Sequence, residues 1–477
     1  MGILNSDALR QYLNLGIERS EISGFQFNKR LFGADVDRAI SLLSAFNNAV
    51  FIVGGQNKDG ILIETAGKFC LDTSGQARRE AIRLDAKQFI KVFGGRSGTC
   101  LQEIFLALEN EKEEILLVIT SLEEFTGDDC LAKLLRDIVK KPSLYILGMT
   151  TMGGFRQLEK KPDLAGYLQF ILTEKLPETD KRNKSVLIIG ATSLLGNAVY
   201  NLFSQKFKTV IGTGFSNAAS QGFDKLDATL EDDIKQYFNK HPQIDIVVYI
   251  AGEANADVAE NERQRAYALN VGAVYNIARS FKNGKFVYIS SEYVFDGNSG
   301  PYGSYSKAEP INYYGCTKLE GEKASLESFS DALVLRLGAL YGYNGPYDKK
   351  TTVSSIIAGL DKAGPLEVDN VQFKRPLLLE DAASTMLRLL DYEAAGIYQV
   401  NGAEGLTKYE LAQKIAAAKK DLFGRGFLYP IVGVQQTGVA GKPLNTHMVN
   451  VDTPRPFVKG IRFILQKQNK FQRYDIA

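Results

Sequence analysis

The 477-residue chain is poor in the residues that build metal or disulfide frameworks. Its four cysteines, Cys70, Cys100, Cys130 and Cys316, form no C-x-x-C pair, and only His241 and His447 are present to join them as ligands. Neither a structural zinc site nor a disulfide scaffold is expected, and scattered reduced thiols suit a cytoplasmic protein. No apolar run reaches the ~18 residues that a membrane span needs. The opening MGILNSDALRQYLNLG has no basic n-region and no apolar h-region, so no signal peptide is expected. Its Gly2 and Ser6 match a myristoylation pattern so short that chance readily supplies it. Charge of one sign is missing as well, since 57 Lys and Arg against 55 Asp and Glu leave a net +2. With no basic arm, neither nucleic acid nor an anionic membrane surface is an expected partner.

What is present suits a protein with real cores: 45% hydrophobic and 23% charged residues. The length allows two or three domains at ~150 residues each. The charged stretch LPETDKRNKS, Leu176–Ser185, separates two series of strands and helices, and the main boundary is placed there. Beyond it, SVLIIG reads as a short buried strand and LLGNAVYNLFSQ as the helix that follows. Apolar strands recur in KTVIGTG, IDIVVYIAG, KFVYISS and ALVLRLG, with helical segments between. Such alternation predicts a doubly wound parallel sheet covered on both faces. From about Pro365 the pattern loosens into shorter elements and one clear helix, TKYELAQKIAAAKK, which suits a small C-terminal substrate lobe.

Two local patterns carry chemistry. GATSLLG spans Gly190, Ala191, Thr192, Ser193, Leu194, Leu195 and Gly196, directly after the first strand and opening the first helix. Glycines there let the backbone approach a pyrophosphate, which a helix N-terminus stabilises. The alternative is an ordinary tight turn. The second pattern is YGCTK, in which Tyr314 and Lys318 stand four apart and share a helix face. A free phenol, with a pKa of about 10, is a poor acid at neutral pH, and a neighbouring ammonium favours its ionised form. A half-buried tyrosine beside a solvated lysine would give the same letters. The context that lifts this pattern is ISS at the fourth strand's end, which brings Ser290 and Ser291 over the same crevice.

With YISSEYVFDGNSGPY and NYYGCTKLEGEKA on view, the second half resembles extended short-chain dehydrogenases of the dTDP-4-dehydrorhamnose reductase type. That family includes the regulatory beta subunit of methionine adenosyltransferase, to which the likeness is near. The likeness runs from about Ser185 to the C-terminal region, through ADVAENERQRAYALNV, VLRLGALYG, KRPLLLEDAA and GIYQVNGAEGLTKYELA. It implies a catalytic group of Ser291, Tyr314 and Lys318 and hydride transfer between a nicotinamide and a keto-sugar nucleotide. Tyr314 is the implied acid, with Lys318 binding the nicotinamide ribose and lowering the phenol pKa. Asp227 matches the family's acid near the adenine, Ala251 and Gly252 match its loop over the cofactor, and Ser291 and Glu292 face substrate.

The chain also departs from that pattern. Ser193 stands where the family's loop has its middle glycine, and its side chain is expected to crowd the pyrophosphate. The second strand ends in GTGFSN, with neither an acid for a ribose diol nor an arginine for a 2′-phosphate. The cofactor is NADP or NAD, with family habit favouring NADP. Glu292 replaces the usual Asp.

The first half has a resemblance of its own, to the large subdomain of Clp-type AAA+ modules, over about Leu31 to Thr179. It rests on LFGADVDRAISLLSAFNNAVFIVGG, RLDAKQFIKVFGGRSGTCLQEIFLALENEKEEILLVI and LLRDIVKKPSLYILGMTTMGGFRQLEKKPDLAGYLQFILTEKLPET. A P-loop needs Gly-Lys-Ser/Thr to hold phosphates and Mg²⁺. Here Lys58 is followed by Asp59, the Walker B acids fall on Thr120 and Ser121, and the arginine fingers fall on Gly166 and Tyr167. Only Thr150, at the sensor 1 position, remains. No functional ATP and Mg²⁺ site is expected in this three-layer α/β domain.

The expected organisation is a helical extension over 1–30, the AAA+-like domain over 31–180 and the dehydrogenase domain over 185–477. Two functions stay open. One is an NAD(P)-dependent reductase or epimerase of a nucleotide sugar, with the first half as a docking or oligomerisation module. The other is a non-catalytic regulatory or scaffold subunit that binds a protein partner.

Overall fold

The structure is a computed structural model. It describes residues 48–53, 80–85, 115–120, 144–150, 152–160, 169–172 and 183–474, other than 217, 299, 344–349, 425–426, 428, 435–440 and 453. The extension over 1–30 and positions Lys58, Asp59, Ser121, Gly166 and Tyr167 lie outside the described residues. The chain divides into two units, Met1–Leu176 with Val449–Thr453, and Pro177–Met448 with Pro454–Ala477.

In the first unit, β1 (Asn48–Val53), β2 (Glu80–Asp85), β3 (Ile115–Thr120), β4 (Leu144–Thr150) and β5 (Gln169–Leu172) form a parallel sheet, and helix α1 (Met152–Glu159) follows β4. The strand order is β2-β1-β3-β4-β5. Neighbouring strands lie about 4.8 Å apart, so β4 is about 10 Å from β1. Thr120 ends the strand beside β1, whereas Thr150 ends a strand one place further out.

The second unit is built on a seven-stranded sheet in which every pair is parallel. Its strands are β6 (Ser185–Ile189), β7 (Thr209–Gly214), β8 (Asp224–Lys225), β9 (Ile246–Tyr249), β10 (Lys285–Ser291), β11 (Ala332–Leu337) and a seventh, Gly396–Val400. All residues of β6, β9, β10 and β11 are buried, as a sheet covered on both faces requires. Helices α2 (Leu194–Phe203), α3 (Glu231–Lys240), α4 (Ala256–Asn261), α5 (Arg263–Tyr267), α6 (Ala273–Ser280) and α7 (Tyr313–Ser328) connect them. Aromatic side chains fill much of the core, including Phe286 stacked on Phe329 at 4.0 Å and Tyr249 on Tyr288 at 6.3 Å.

The loosened region after Pro365 does not all belong to a separate lobe. A lobe with its own apolar core is present, formed by β12 (Leu340–Tyr341), α8 (Thr352–Leu360), β13 (Leu366–Asp369), β14 (Leu377–Leu378), α10 (Lys408–Phe423), β16 (Ile431–Val434) and α11 (Phe457–Tyr474). Between these elements, helix α9 (Leu379–Asp391) packs on α2, and β15 (Gly396–Val400) pairs with β11 as the sheet's edge. An edge strand of five residues has a weak apolar signal, so the sequence pattern did not reveal its place.

The sheet order β15-β11-β10-β9-β6-β7-β8 runs outward in both directions from β6. The crevice between β6 and β9, beyond their carboxyl ends, is where open α/β sheets bind ligands.

Candidate functional site

The first wall of the crevice is the turn from β6 into α2. Gly190 has φ +100, and a Cβ on it would come within 2.5 Å of Ala251 N, so the two strand-end loops touch through bare backbone. Gly196 packs as closely, since a Cβ there would lie 2.1 Å from Gly190 O. Ser193 has φ −79 and ψ 164, an extended conformation open to any residue, and acts as the N-cap of α2. Its hydroxyl accepts from Gly196 N at 3.0 Å. The serine therefore folds back onto the helix, where it occupies one of the N–H groups that a helix start offers to an anion.

The second wall comes from the loop after β9, which carries Ala251 and Gly252. A Cβ on Gly252 would lie 2.6 Å from Asn270 Oδ1 and 3.1 Å from Lys318 Nζ. Asn270 sits in a single π turn, Ala268–Gly272, between α5 and α6. Its Nδ2 donates to Glu253 O at 3.2 Å and Thr317 Oγ1 at 2.9 Å, while its Oδ1 has no partner among the described residues. Two phenols from the strands beneath hold this turn. Tyr249 donates to Leu269 O at 2.5 Å, and Tyr288 donates to Asn270 O at 2.9 Å. The ALNV letters were in view in the sequence, but nothing local marked the turn or the role of Asn270.

The floor is β10 with α7. Asn312 caps α7 by accepting from Gly315 N at 2.8 Å, which fixes where the helix begins and so where Tyr314 and Lys318 point. Ser291, Tyr314 and Lys318 are all buried and come together here. The Ser291 side chain stands on the same side as the Tyr314 phenol and favours its ionised form. Burial is the largest influence on Tyr314 and raises its pKa well above the usual phenol value, with Ser291 opposing. The expected depression by Lys318 is not seen, because the ammonium turns the other way. It donates to Ile289 O at 3.0 Å and stands 5.1 Å from the centre of the Tyr288 ring. Burial lowers the Lys318 pKa to about 8, with Glu322 and Glu253 acting against it.

Ser290 faces away from this group. It donates to Glu322, which takes a bidentate pair from Arg336 at 2.8 and 2.6 Å. Glu322 and Arg336 are both buried and tie α7 to β11 one helical turn beyond Lys318.

On the open side, Glu292 is buried and its Oε1 accepts from Lys374 Nζ at 3.3 Å, while its Oε2 is unpartnered among the described residues. Lys374 also donates to Tyr293 OH at 3.3 Å, and the Tyr293 ring meets Tyr314 edge-on at 5.5 Å. Burial lowers the Arg375 pKa to about 10, leaving it charged at neutral pH. Burial and then Arg375 hold His447 well below the usual histidine value. Lys374 and Arg375 come from the pocket loop DNVQFKRP, and His447 comes from a distant position that no local pattern connected to the site. Asp227 lies in the turn before α3, where it accepts from Thr229 N at 2.9 Å and Thr229 Oγ1 at 2.6 Å.

A glycine-lined turn at the switch point of a doubly wound sheet, opposite an orphaned amide oxygen and a buried Ser-Tyr-Lys group, defines a dinucleotide-fold protein of the short-chain dehydrogenase kind. Residues 184–462 match the RmlD substrate binding domain family, and the chain belongs to it. The methionine adenosyltransferase 2 subunit beta of Xenopus tropicalis is 35% identical over 301 residues, 58% of this chain and 86% of that protein. A probable low-salt glycan biosynthesis reductase of Haloferax volcanii is 29% identical over 238 residues, 48% of this chain and 78% of that one. Among solved structures, the dTDP-4-dehydrorhamnose reductase of Bacillus anthracis in complex with NADP shares the fold with TM-score 0.52 and 23% identity, over 61% of this chain and 100% of that one. The Clostridium acetobutylicum dTDP-4-dehydrorhamnose reductase gives TM-score 0.53 and 22% identity, over 60% and 99%. No helix among the described residues is long and apolar enough to cross a membrane.

Proposed function

We propose that residues 185–477 form an NAD(P)-dependent reductase of a nucleotide sugar, with Ser291, Tyr314 and Lys318 as its catalytic group. The observation that carries this reading is the burial of Ser291, Tyr314 and Lys318 at the carboxyl end of β10 and the start of α7, with Lys318 Nζ beside Gly252. The crevice fits a dinucleotide: Gly190 and Gly196 leave backbone bare, and Asn270 Oδ1 and Lys318 Nζ flank Gly252. Gly190, Ala191, Thr192, Ser193, Leu194, Leu195 and Gly196 would hold its pyrophosphate, and Ala251, Gly252, Tyr314 and Lys318 its nicotinamide end. When bound, the nicotinamide supplies a hydride to a carbonyl carbon. The raised pKa keeps Tyr314 protonated at neutral pH, so it holds the proton that the carbonyl oxygen takes up. Ser291 would fix that oxygen, and Lys318 would hold the ribose at the nicotinamide end. Glu292, held by Lys374, faces the sugar.

For the first unit we keep the reading of an ATPase-dead AAA+-like docking module over 31–180. ATP with Mg²⁺ is expected to give neither hydrolysis nor a melting shift, and a Mg²⁺-dependent shift would contradict this reading. The protein is read as cytoplasmic, with assembly through the first unit.

The second reading, a regulatory or scaffold subunit, is favoured by Ser193 occupying Gly196 N and by the relatives named as a methionine adenosyltransferase subunit. Turnover of NADPH with dTDP-4-dehydrorhamnose decides between them. Failure to turn over, together with recovery of a tight protein partner, would leave the subunit reading.

A further inference from the structure

The sequence left open how the adenosine end is read, because β7 ends in Gly214, Phe215 and Ser216 with neither acid nor arginine. In doubly wound folds this strand end meets the adenosine ribose: an acid holds the diol, or a cation nearby accommodates a 2′-phosphate. The structure brings a cation there from another strand. β8 pairs in parallel with β7, with Gly214 opposite Lys225, so the lysine stands directly beside the strand end. Its ammonium lies 5.6 Å from the centre of the Phe215 ring. Lys225 is exposed, and Phe215 is 58% exposed, a large apolar face left open at the crevice rim. The strand end also abuts the phosphate turn, since a Cβ on Gly214 would come within 2.4 Å of the Thr192 side chain.

The acids nearby are engaged elsewhere. Asp224 accepts from the Tyr237 hydroxyl at 2.8 Å, and Asp227 accepts from Thr229. Lys225 has no ion pair among the described residues. A free ammonium over an exposed ring, with no carboxylate turned to the same point, suits a phosphate beside a purine and offers nothing to bind a bare diol.

We propose that Lys225 receives the 2′-phosphate of the cofactor, with Phe215 flanking its adenine, which makes this a site for NADP rather than NAD. This rests on the dinucleotide reading above. The test is a pair of fluorescence titrations, NADPH and NADH, on the full chain at low and at physiological salt. NADPH is expected to bind more tightly, with the difference shrinking as salt rises. Lys225→Ala should weaken NADPH about tenfold, the worth of one charge-assisted contact, and leave NADH within about twofold. Lys225→Arg should keep the preference. Equal affinities in the parent, or an equal loss for both cofactors in Lys225→Ala, would overturn the inference while the dinucleotide reading stands. Binding of neither cofactor would overturn both.

Discussion

The two ends of the crevice are built differently. At the proposed catalytic end, several polar groups hold one another: Tyr288 and Tyr249 fix the π turn, Asn312 caps α7, and Arg336 clamps Glu322. At the phosphate end, one serine closes on its own helix and the strand beside it carries no acid. Chemistry of a reductase needs both ends, whereas a binding fold needs only the scaffold. The contrast says that the end proposed to move protons is firmly held, whereas the end proposed to grip the cofactor closes on its own helix.

The largest effect expected on this contrast comes from breaking the clamp. Arg336→Leu leaves Glu322 charged and buried without its partner, a loss of about 3–5 kcal/mol of stability. The double variant Arg336→Leu with Glu322→Leu should recover part of it, as denaturant unfolding will show. If Arg336→Leu is as stable as the parent, the catalytic end is not held in the way described.

A smaller effect concerns Lys318 and pH. Burial lowers its pKa in the folded chain from 10.5 to about 8. Between those values the unfolded chain holds a proton that the folded chain has lost, so this group makes stability rise with pH across that window. Below about pH 8 the buried charge weighs against the fold. Lys318→Met should flatten the rise, measured by unfolding at several pH values between 7.5 and 10.5. An unchanged slope would show that the ammonium is solvated.

The smallest effect is at Ser193. Ser193→Gly frees Gly196 N for an anion and should tighten NADPH several-fold, at a cost of a few tenths of a kcal/mol in helix capping. Weaker binding in that variant would mean that the hydroxyl itself contacts phosphate.

The catalytic end was legible where its letters are local. Tyr314 and Lys318 share one helix face and Ser290 and Ser291 one strand end, which the sequence shows directly, while the choice of Ser291 came from the family resemblance. Asn270 was not legible, because its position depends on a π turn held by phenols from two other strands. Lys374 was legible only as part of the pocket loop DNVQFKRP, and Lys225 comes to its place through a strand pairing that nothing near it in the chain announces. Ser193 was visible as a departure, but the direction of its hydroxyl depends on backbone dihedrals. The sheet was legible in β6, β7, β9, β10 and β11, whose apolar runs stand out, but not in β8, which is two charged residues long. Its edge, β15, was hidden among lobe elements, since a short strand paired on one side carries little pattern.

The central claim is that Tyr314 supplies the proton in a nicotinamide-dependent reduction. Its most direct measurement is NADPH consumption with dTDP-4-dehydrorhamnose by the parent chain and by Tyr314→Phe, alongside NADPH affinity for each. The account expects turnover by the parent and a loss of about 10²–10⁴-fold in Tyr314→Phe, with affinity nearly unchanged. Full activity in Tyr314→Phe, or a parent that binds NADPH and never consumes it with this substrate, would contradict it.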